Sequence, residues 1–139
     1  MQKYDVIIMG AGPSGIFCAY ELIKENKDLK ILMVEKGRPI EKRNCPKRTT
    51  KKCMGCQPCC ITTGFAGAGA FSDGKLSLSP DVGGNLLDIL GFDETIGLLK
   101  ESDDIYLKFG ADTNVYGIDK DAEIREIRRR AINANLKLI

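Results

Sequence analysis

Three glycines, one glutamate and a cluster of cysteines are the residues of this sequence whose types and spacing suit chemistry. Gly10, Gly12 and Gly15 form a G-x-G-x-x-G turn directly after the apolar run Val6–Met9. A strand, a glycine turn and then a helix, in that order, allow the backbone to accept a dinucleotide pyrophosphate. Gly10 lets the chain turn where a side chain would clash. Gly12 leaves no Cβ between backbone and phosphate, and Gly15 lets the helix lie close to the strand. Pro13 suits the first helical turn, and the helix that Ser14 enters has free N–H groups and a dipole facing an anion, so residues 10 to 15, Ala11 included, form the expected cradle. The run Ile31–Val34 predicts a second buried strand. Glu35, 20 residues after Gly15, stands at its end, where it can accept hydrogen bonds from adenosine ribose hydroxyls. An acid there argues against a 2′-phosphate and hence against NADP, but it does not separate NAD from FAD.

Cys45, Cys53, Cys56, Cys59 and Cys60 are five of the six cysteines and lie within 16 residues. No secretory signal precedes them, so a disulfide framework is not expected. The spacing Cys53-x-x-Cys56-x-x-Cys59 resembles the three-cysteine run of bacterial ferredoxins, with Cys45-Pro46 in the role of their remote fourth ligand, here upstream. The chain has no histidine. Overlapping C-x-x-C steps therefore suit an iron–sulfur cluster better than a two-pair zinc ribbon, and Cys45, Cys53, Cys56 and Cys59 are the candidate metal ligands. Thiol redox chemistry and reduced, structural cysteines are the competing readings. Cys18, on the first helix, is expected in the core.

The elements that must position these groups follow from apolar spacing. Residues 14–25 read as a helix with Ile16, Ala19, Tyr20 and Ile23 on one face. Beyond residue 85 the pattern is helical: 85–90 stops at Gly91, and 93–109 places Leu98, Ser102, Ile105 and Phe109 on one stripe before Gly110. Residues 121–133 follow, with Ile124, Ile127 and Ala131 inward and Arg125, Arg128 and Arg129 outward. The run Arg128-Arg129-Arg130 fits a helix end whose cations offset the dipole. Residues 136–139 read as a strand. The expected architecture is α/β: a Rossmann-like FAD/NAD(P)-binding fold with an incomplete parallel sheet. It divides into a β-α-β unit over 1–36, a Cys-rich and Gly-rich loop insert over 37–80, and a helical segment over 81–139.

The segment 64–74 holds four glycines in eleven residues, which is costly unless the backbone must approach something closely. Phe65, Phe71, Leu76 and Leu78 give it apolar anchors that a linker lacks. N–H groups at Gly67, Gly69 and Gly74 could reach a pyrophosphate or flavin ring, Ser72 could donate to a phosphate or ribityl oxygen, and Lys75 could stabilise negative charge near a reduced isoalloxazine. The fingerprint starting at residue 4, followed by Val34-Glu35-Lys36-Gly37, resembles the N-terminus of the large FAD-dependent oxidoreductase group. Residues 64–76, together with 105–110 and Tyr116-Gly117, are similar to a family of bacterial and archaeal FAD-dependent dehydrogenases. That resemblance implies FAD as cofactor, with Lys36 joining Glu35 at the site, and leaves the reaction open.

Composition narrows the rest. The 139 residues are 43% hydrophobic, enough for one domain with a core, and the formal charge of +2 argues against a general nucleic-acid binder. Eight of the basic residues fall within 36–52 beside a single Glu, a local block read first as a solvated loop. There is no targeting segment and no apolar stretch of membrane-spanning length, so the expectation is a cytoplasmic protein. No catalytic acid, base or nucleophile is singled out. A whole flavoenzyme needs further strands and a substrate domain, so the expected function is the FAD-binding N-terminal portion of an FAD-dependent dehydrogenase, inactive alone. Its partners are then a small-molecule substrate or an electron donor or acceptor. The alternative is a truncated, non-catalytic fragment whose Cys-rich loop binds a metal or iron–sulfur cluster.

Overall fold

The computed structural model describes residues 2–72 and 74–136. The chain divides into two compact units, Met1–Lys75 and Leu76–Ile139. The first is α/β. Strand β1 (Val6–Met9) leads through the glycine turn into helix α1 (Pro13–Glu25), and the chain returns as strand β2 (Ile31–Val34).

β1 and β2 pair in parallel, with Val6 opposite Ile31 and Met9 opposite Val34. Asp5 fixes that register at the open end: its N–H donates to the Lys30 carbonyl (2.9 Å), and its carboxylate accepts the Lys30 N–H (2.8 Å). Gly10 extends the ladder by donating to the Val34 carbonyl at 2.7 Å. α1 begins at Pro13, one residue earlier than the apolar spacing predicts. It ends at Asn26, whose N–H bonds the Leu22 carbonyl and whose side chain accepts the Asp28 N–H.

The strands were expected to be buried, and they are only partly so. In β1, Ile8 is buried, whereas Ile7 is 62% and Met9 87% exposed. Alternate residues of a strand point to opposite faces, and here α1 covers the face that holds Ile8. Ile23 and Cys18 of α1 are likewise exposed rather than core, because a two-stranded sheet covers only part of a helix. Among the described residues of this unit, Ile8, Ala11, Arg43 and Gly64 are buried. Its tightest packing therefore lies in the loops beyond the strand ends.

Between β2 and residue 75 the chain is mostly irregular. It contains a 3-10 turn at Ile40–Lys42, the four-residue helix α2 (Lys47–Thr50) and a second 3-10 turn at Ala68–Phe71.

The second unit is helical among its described residues, with α3 (Leu86–Leu90), α4 (Phe92–Lys108) and α5 (Asp121–Asn133). α3 packs on α4. Thr95 is buried near the start of α4, where its hydroxyl donates to the Gly91 carbonyl at 2.7 Å. The less exposed side of α4 carries Thr95, Ile96, Leu99 and Ser102, so the stripe through Leu98 and Phe109 is a correction: both of those are exposed. Gly110, at positive φ, follows the end of α4 as expected.

α5 has the expected bounds and buries Ala131, but Ile127 is exposed and Glu126 is half-buried. Glu126 accepts hydrogen bonds from Arg129 and Arg130 at 2.8 to 2.9 Å. Two of the three clustered arginines are thus paired on the helix surface. The strand expected over 136–139 lies, past Leu136, outside the described residues.

Candidate functional site

The site is built where β1 and β2 end and the glycine turn begins. Gly10 adopts φ +104°, a left-handed conformation that L side chains rarely take. Gly15 is required by packing: a Cβ there would overlap the Gly10 carbonyl oxygen and stand 3.2 Å from Ile8 Cγ2. Gly12 has neither reason. Its φ is −80°, open to any residue, and the nearest atom to an added Cβ is Gly67 Cα at 3.9 Å.

As the N-cap of α1, Gly12 supplies no side-chain hydrogen bond to the first helical turn. The Ser14 and Gly15 N–H groups lie in that turn, where helix geometry provides no carbonyl partner. Such donors, with the positive end of the dipole, suit an anion.

Glu35 sits directly behind this turn. One carboxylate oxygen accepts the Ala11 N–H and the other the Gly37 N–H, both at 2.8 Å. These two donors lower its pKa most, against an opposing desolvation, with smaller help from the Gly64 N–H and the Arg43 charge. The carboxylate is therefore held ionised. The two carboxylate oxygens offer more lone-pair capacity than the Ala11, Gly37 and Gly64 N–H groups occupy, so a ribose hydroxyl can still be received.

The second glycine segment docks on the first. The Ala66 N–H donates to the Ala11 carbonyl at 2.8 Å, and Gly67, at φ +66°, lies against Pro13 and Gly12: a Cβ on it would meet them at 3.1 and 3.2 Å. Gly64 approaches Gly37 so closely that a Cβ on Gly37 would fall 2.5 Å from Gly64 Cα. A parallel bridge joins Arg38 to Gly64, with the Phe65 N–H on the Arg38 carbonyl at 3.1 Å.

The structure thus brings Ala11, Gly12, Pro13, Glu35 and Gly67 together. Gly69, Ser72 and Gly74 bond locally: the Ser72 hydroxyl donates to the Gly69 carbonyl (2.9 Å) and accepts the Gly74 N–H (3.1 Å). Lys36 and Lys75 are exposed.

Arg43 holds this assembly, and the sequence reading missed it. It is 5% exposed. Its Nε donates to the Cys60 carbonyl (2.9 Å) and Nη2 to Ile61 (2.6 Å), while Nη1 donates to both Phe65 (2.6 Å) and Gly67 (2.7 Å). The guanidinium also lies 4.7 Å from the centre of the Phe71 ring. The basic block of 36–52 is therefore not all solvated. The signal available in the sequence was a demand: a glycine-rich loop has many carbonyls and few side chains to satisfy them.

The cysteines do not form the expected ligand set. Among the described residues, no three or more His, Cys, Asp or Glu side chains are placed to hold a metal ion. Cys18, Cys53, Cys56 and Cys59 are exposed, and Cys45 and Cys60 are half-buried. The loop instead wraps the Arg43 guanidinium, which holds the Cys60, Ile61, Phe65 and Gly67 carbonyls. Cys59 stands out, because the N–H groups of Thr62 and Ile61, then the Thr62 hydroxyl, lower its thiol pKa.

A glycine turn between parallel strands, backed by a carboxylate and roofed by a second glycine loop, defines an α/β unit whose first helix has no side-chain cap at its N-terminus. Residues 1–39 match the Thi4 family. Over 33 residues the chain is 54% identical to the thiamine thiazole synthase of Coprinopsis cinerea, a match covering 24% of this chain and 10% of that protein. No solved structure matches. No helix of the described residues is long and apolar enough to cross a membrane.

Proposed function

We propose that this chain is the FAD-holding N-terminal portion of a Rossmann-like flavin-dependent oxidoreductase, acting with a small-molecule substrate or an electron donor or acceptor. Gly12 carries the reading. The fold itself explains Gly10 by its dihedral angle and Gly15 by its packing, but nothing within the described chain excludes a side chain at Gly12. A Ser, Thr, Asp or Asn is the commoner N-cap and would close the α1 donors on itself. A bare N-cap keeps those donors, and the space before them, for a phosphate-bearing ligand. The match of residues 1–39 to the Thi4 family, which is associated with FAD, supports the choice of cofactor.

In this reading the Ser14 and Gly15 N–H groups bind the pyrophosphate, and Glu35, held ionised by Ala11 and Gly37, accepts a ribose hydroxyl. Gly67 keeps the second loop close without filling the cradle. The flavin, when bound, supplies the hydride chemistry, while the chain supplies binding and orientation.

The test is titration of the purified chain with FAD, NAD and ADP, followed by flavin fluorescence and calorimetry, for wild type and Gly12→Ala. The expected result is FAD binding that Gly12→Ala weakens at least about tenfold, a loss of about 1.4 kcal/mol, with its urea midpoint unchanged. Equal FAD affinity in the variant overturns the role of Gly12. Binding of NAD in preference to FAD overturns the flavin assignment and leaves a dinucleotide site.

A further inference from the structure

We propose that a cleft in the loop insert binds a small hydroxycarboxylate, with Arg38 taking the carboxylate and Asn44, Gln57 and Thr63 taking the hydroxyl. The cleft is about 180 Å³, and these four residues line it together with Pro46 and Pro58. A cavity of about 150 Å³ holds benzene, so this one takes a molecule of roughly six to eight non-hydrogen atoms. A dinucleotide does not fit. The inference does not depend on the flavin reading.

Both walls are fastened by contacts that do not use the lining side chains. Arg38 is held through its backbone: it bridges to Gly64, and its carbonyl accepts the Phe65 N–H at 3.1 Å. Thr63 immediately precedes that bridge, and its N–H donates to the Cys59 carbonyl at 2.9 Å. Asn44 follows the buried Arg43, whose Nε and Nη2 reach across to the Cys60 and Ile61 carbonyls at 2.9 and 2.6 Å. Residues 38–46 and 57–63 are thus tied together at two places, and the cleft lies between them.

The lining side chains are unpaired. Among the described residues, the Arg38 guanidinium makes no ion pair or hydrogen bond, and the side chains of Asn44, Gln57 and Thr63 make no hydrogen bond. Arg43 is the contrast, with its guanidinium committed to four carbonyls. No Asp or Glu lines the cleft, and residues 36–52 carry eight bases and one acid. An entering anion therefore meets a free guanidinium with no lining carboxylate to compete for it. Arg38, Asn44 and Gln57 are exposed, so the ligand reaches them from solvent, and affinity in the millimolar range is expected of an ion pair open to water.

The kinds of donor and acceptor select the anion. A guanidinium only donates, in a fixed fork that matches the two oxygens of a carboxylate. Amides and a hydroxyl both donate and accept, as an alcohol does. One donor-only group beside three of mixed character fits a ligand with an accepting end and a hydroxyl next to it. A sulfate or phosphate, accepting on nearly every oxygen, leaves the amide carbonyls unmatched. Pro46 and Pro58 supply apolar surface for the carbon stem.

The experiment titrates the isotope-labelled 139-residue chain with lactate, propionate and inorganic phosphate in turn, at constant ionic strength, and follows amide signals by NMR. Lactate is expected to give saturable shifts at the Thr63 and Phe65 N–H groups and at the Asn44 and Gln57 side-chain amides, with the Gly10 N–H unmoved. Propionate has the carboxylate and carbon chain without the hydroxyl, and should bind at least about threefold more weakly. Arg38→Gln should weaken lactate about fivefold or more while keeping the wild-type urea midpoint, because Arg38 fastens the loop through its backbone. The comparison of probes on the wild-type chain needs no variant to fold. Equal affinity for lactate and propionate overturns the hydroxyl contacts, and tighter binding of phosphate overturns the carboxylate assignment. Unsaturable shifts spread over residues 36–52 are ionic screening of the basic block and overturn the site. None of these readouts involves flavin, so they are decided separately from the FAD titration.

Discussion

Removing the Arg43 guanidinium tests whether one side chain holds the second glycine loop against the first. In Arg43→Met, four carbonyls lose their donor. Ile61 and Phe65 are exposed residues whose carbonyls can turn to water, while Cys60 and Gly67 are half-buried. An unsatisfied buried acceptor costs about 1–3 kcal/mol, so these two cost about 2–6 kcal/mol together. At 1.4 kcal/mol per factor of ten, the loop's opening equilibrium rises about 30-fold or more. Amide hydrogen exchange reads this directly, because local opening exposes particular N–H groups. Those of Ala66 and Phe65, bonded to Ala11 and Arg38, should lose protection by at least that factor. The Gly10 N–H, bonded to Val34 within the sheet, is the internal reference and should change little. Arg43→Lys keeps the charge but cannot span four carbonyls, and should fall between. A rise of less than about threefold at Ala66 would refute the reasoning, since the desolvation cost it rests on would be absent. An equal rise at Gly10 would show that Arg43 supports the whole unit rather than the loop.

Gly15→Ala should destabilise the fold by about 1–3 kcal/mol in urea denaturation, because its Cβ overlaps the Gly10 carbonyl. An unchanged midpoint would mean that α1 does not lie this close to β1. Gly67→Ala faces both a positive φ and the Pro13 and Gly12 contacts, so it should weaken FAD binding while the protection of Gly10 is kept. Retained affinity would separate the second loop from the cradle. Glu35 makes a prediction in pH. Its folded-state pKa is depressed, so its contribution to stability is present above the ordinary value of about 4.5 and is lost as pH falls through the lower, folded value. Urea midpoints measured down to the acid limit should fall less steeply for Glu35→Gln than for wild type, and parallel curves would count against the Ala11 and Gly37 contacts.

The β1–turn–α1–β2 unit was legible because its signals are local. A short apolar run, a glycine that must take positive φ and a proline at the first helical position each act within a few residues. The bounds of α5 were legible for the same reason. What the sequence obscured depends on tertiary partners. Ile127 and Leu98 have core-type spacing, but the side of a helix that is covered is set by what packs on it, and these positions are exposed. Arg43 was invisible among its seven basic neighbours in 36–52, because its distinction is a set of carbonyls 17 to 24 residues away. The cysteine spacing matched a cluster motif, yet a ligand set needs the sulfurs to converge, and among the described residues no three of them do.

The contact between Gly37 and Gly64 governs which sequence changes this loop can accept. A side chain at position 37 meets backbone at 64, which no rotamer change can relieve, and one at 64 meets Arg38 and Arg43. Substitutions at 37, 43 and 64 should therefore be epistatic, each making the others matter less once the clasp has opened. The stretch between them is freer: α2 and the exposed Lys51 and Lys52 lie outside the clasp, and insertions there would lengthen the excursion without disturbing its closure. Transplanting the second glycine loop onto another β-α-β unit thus requires moving Gly37, Arg43 and Gly64 as one inherited set.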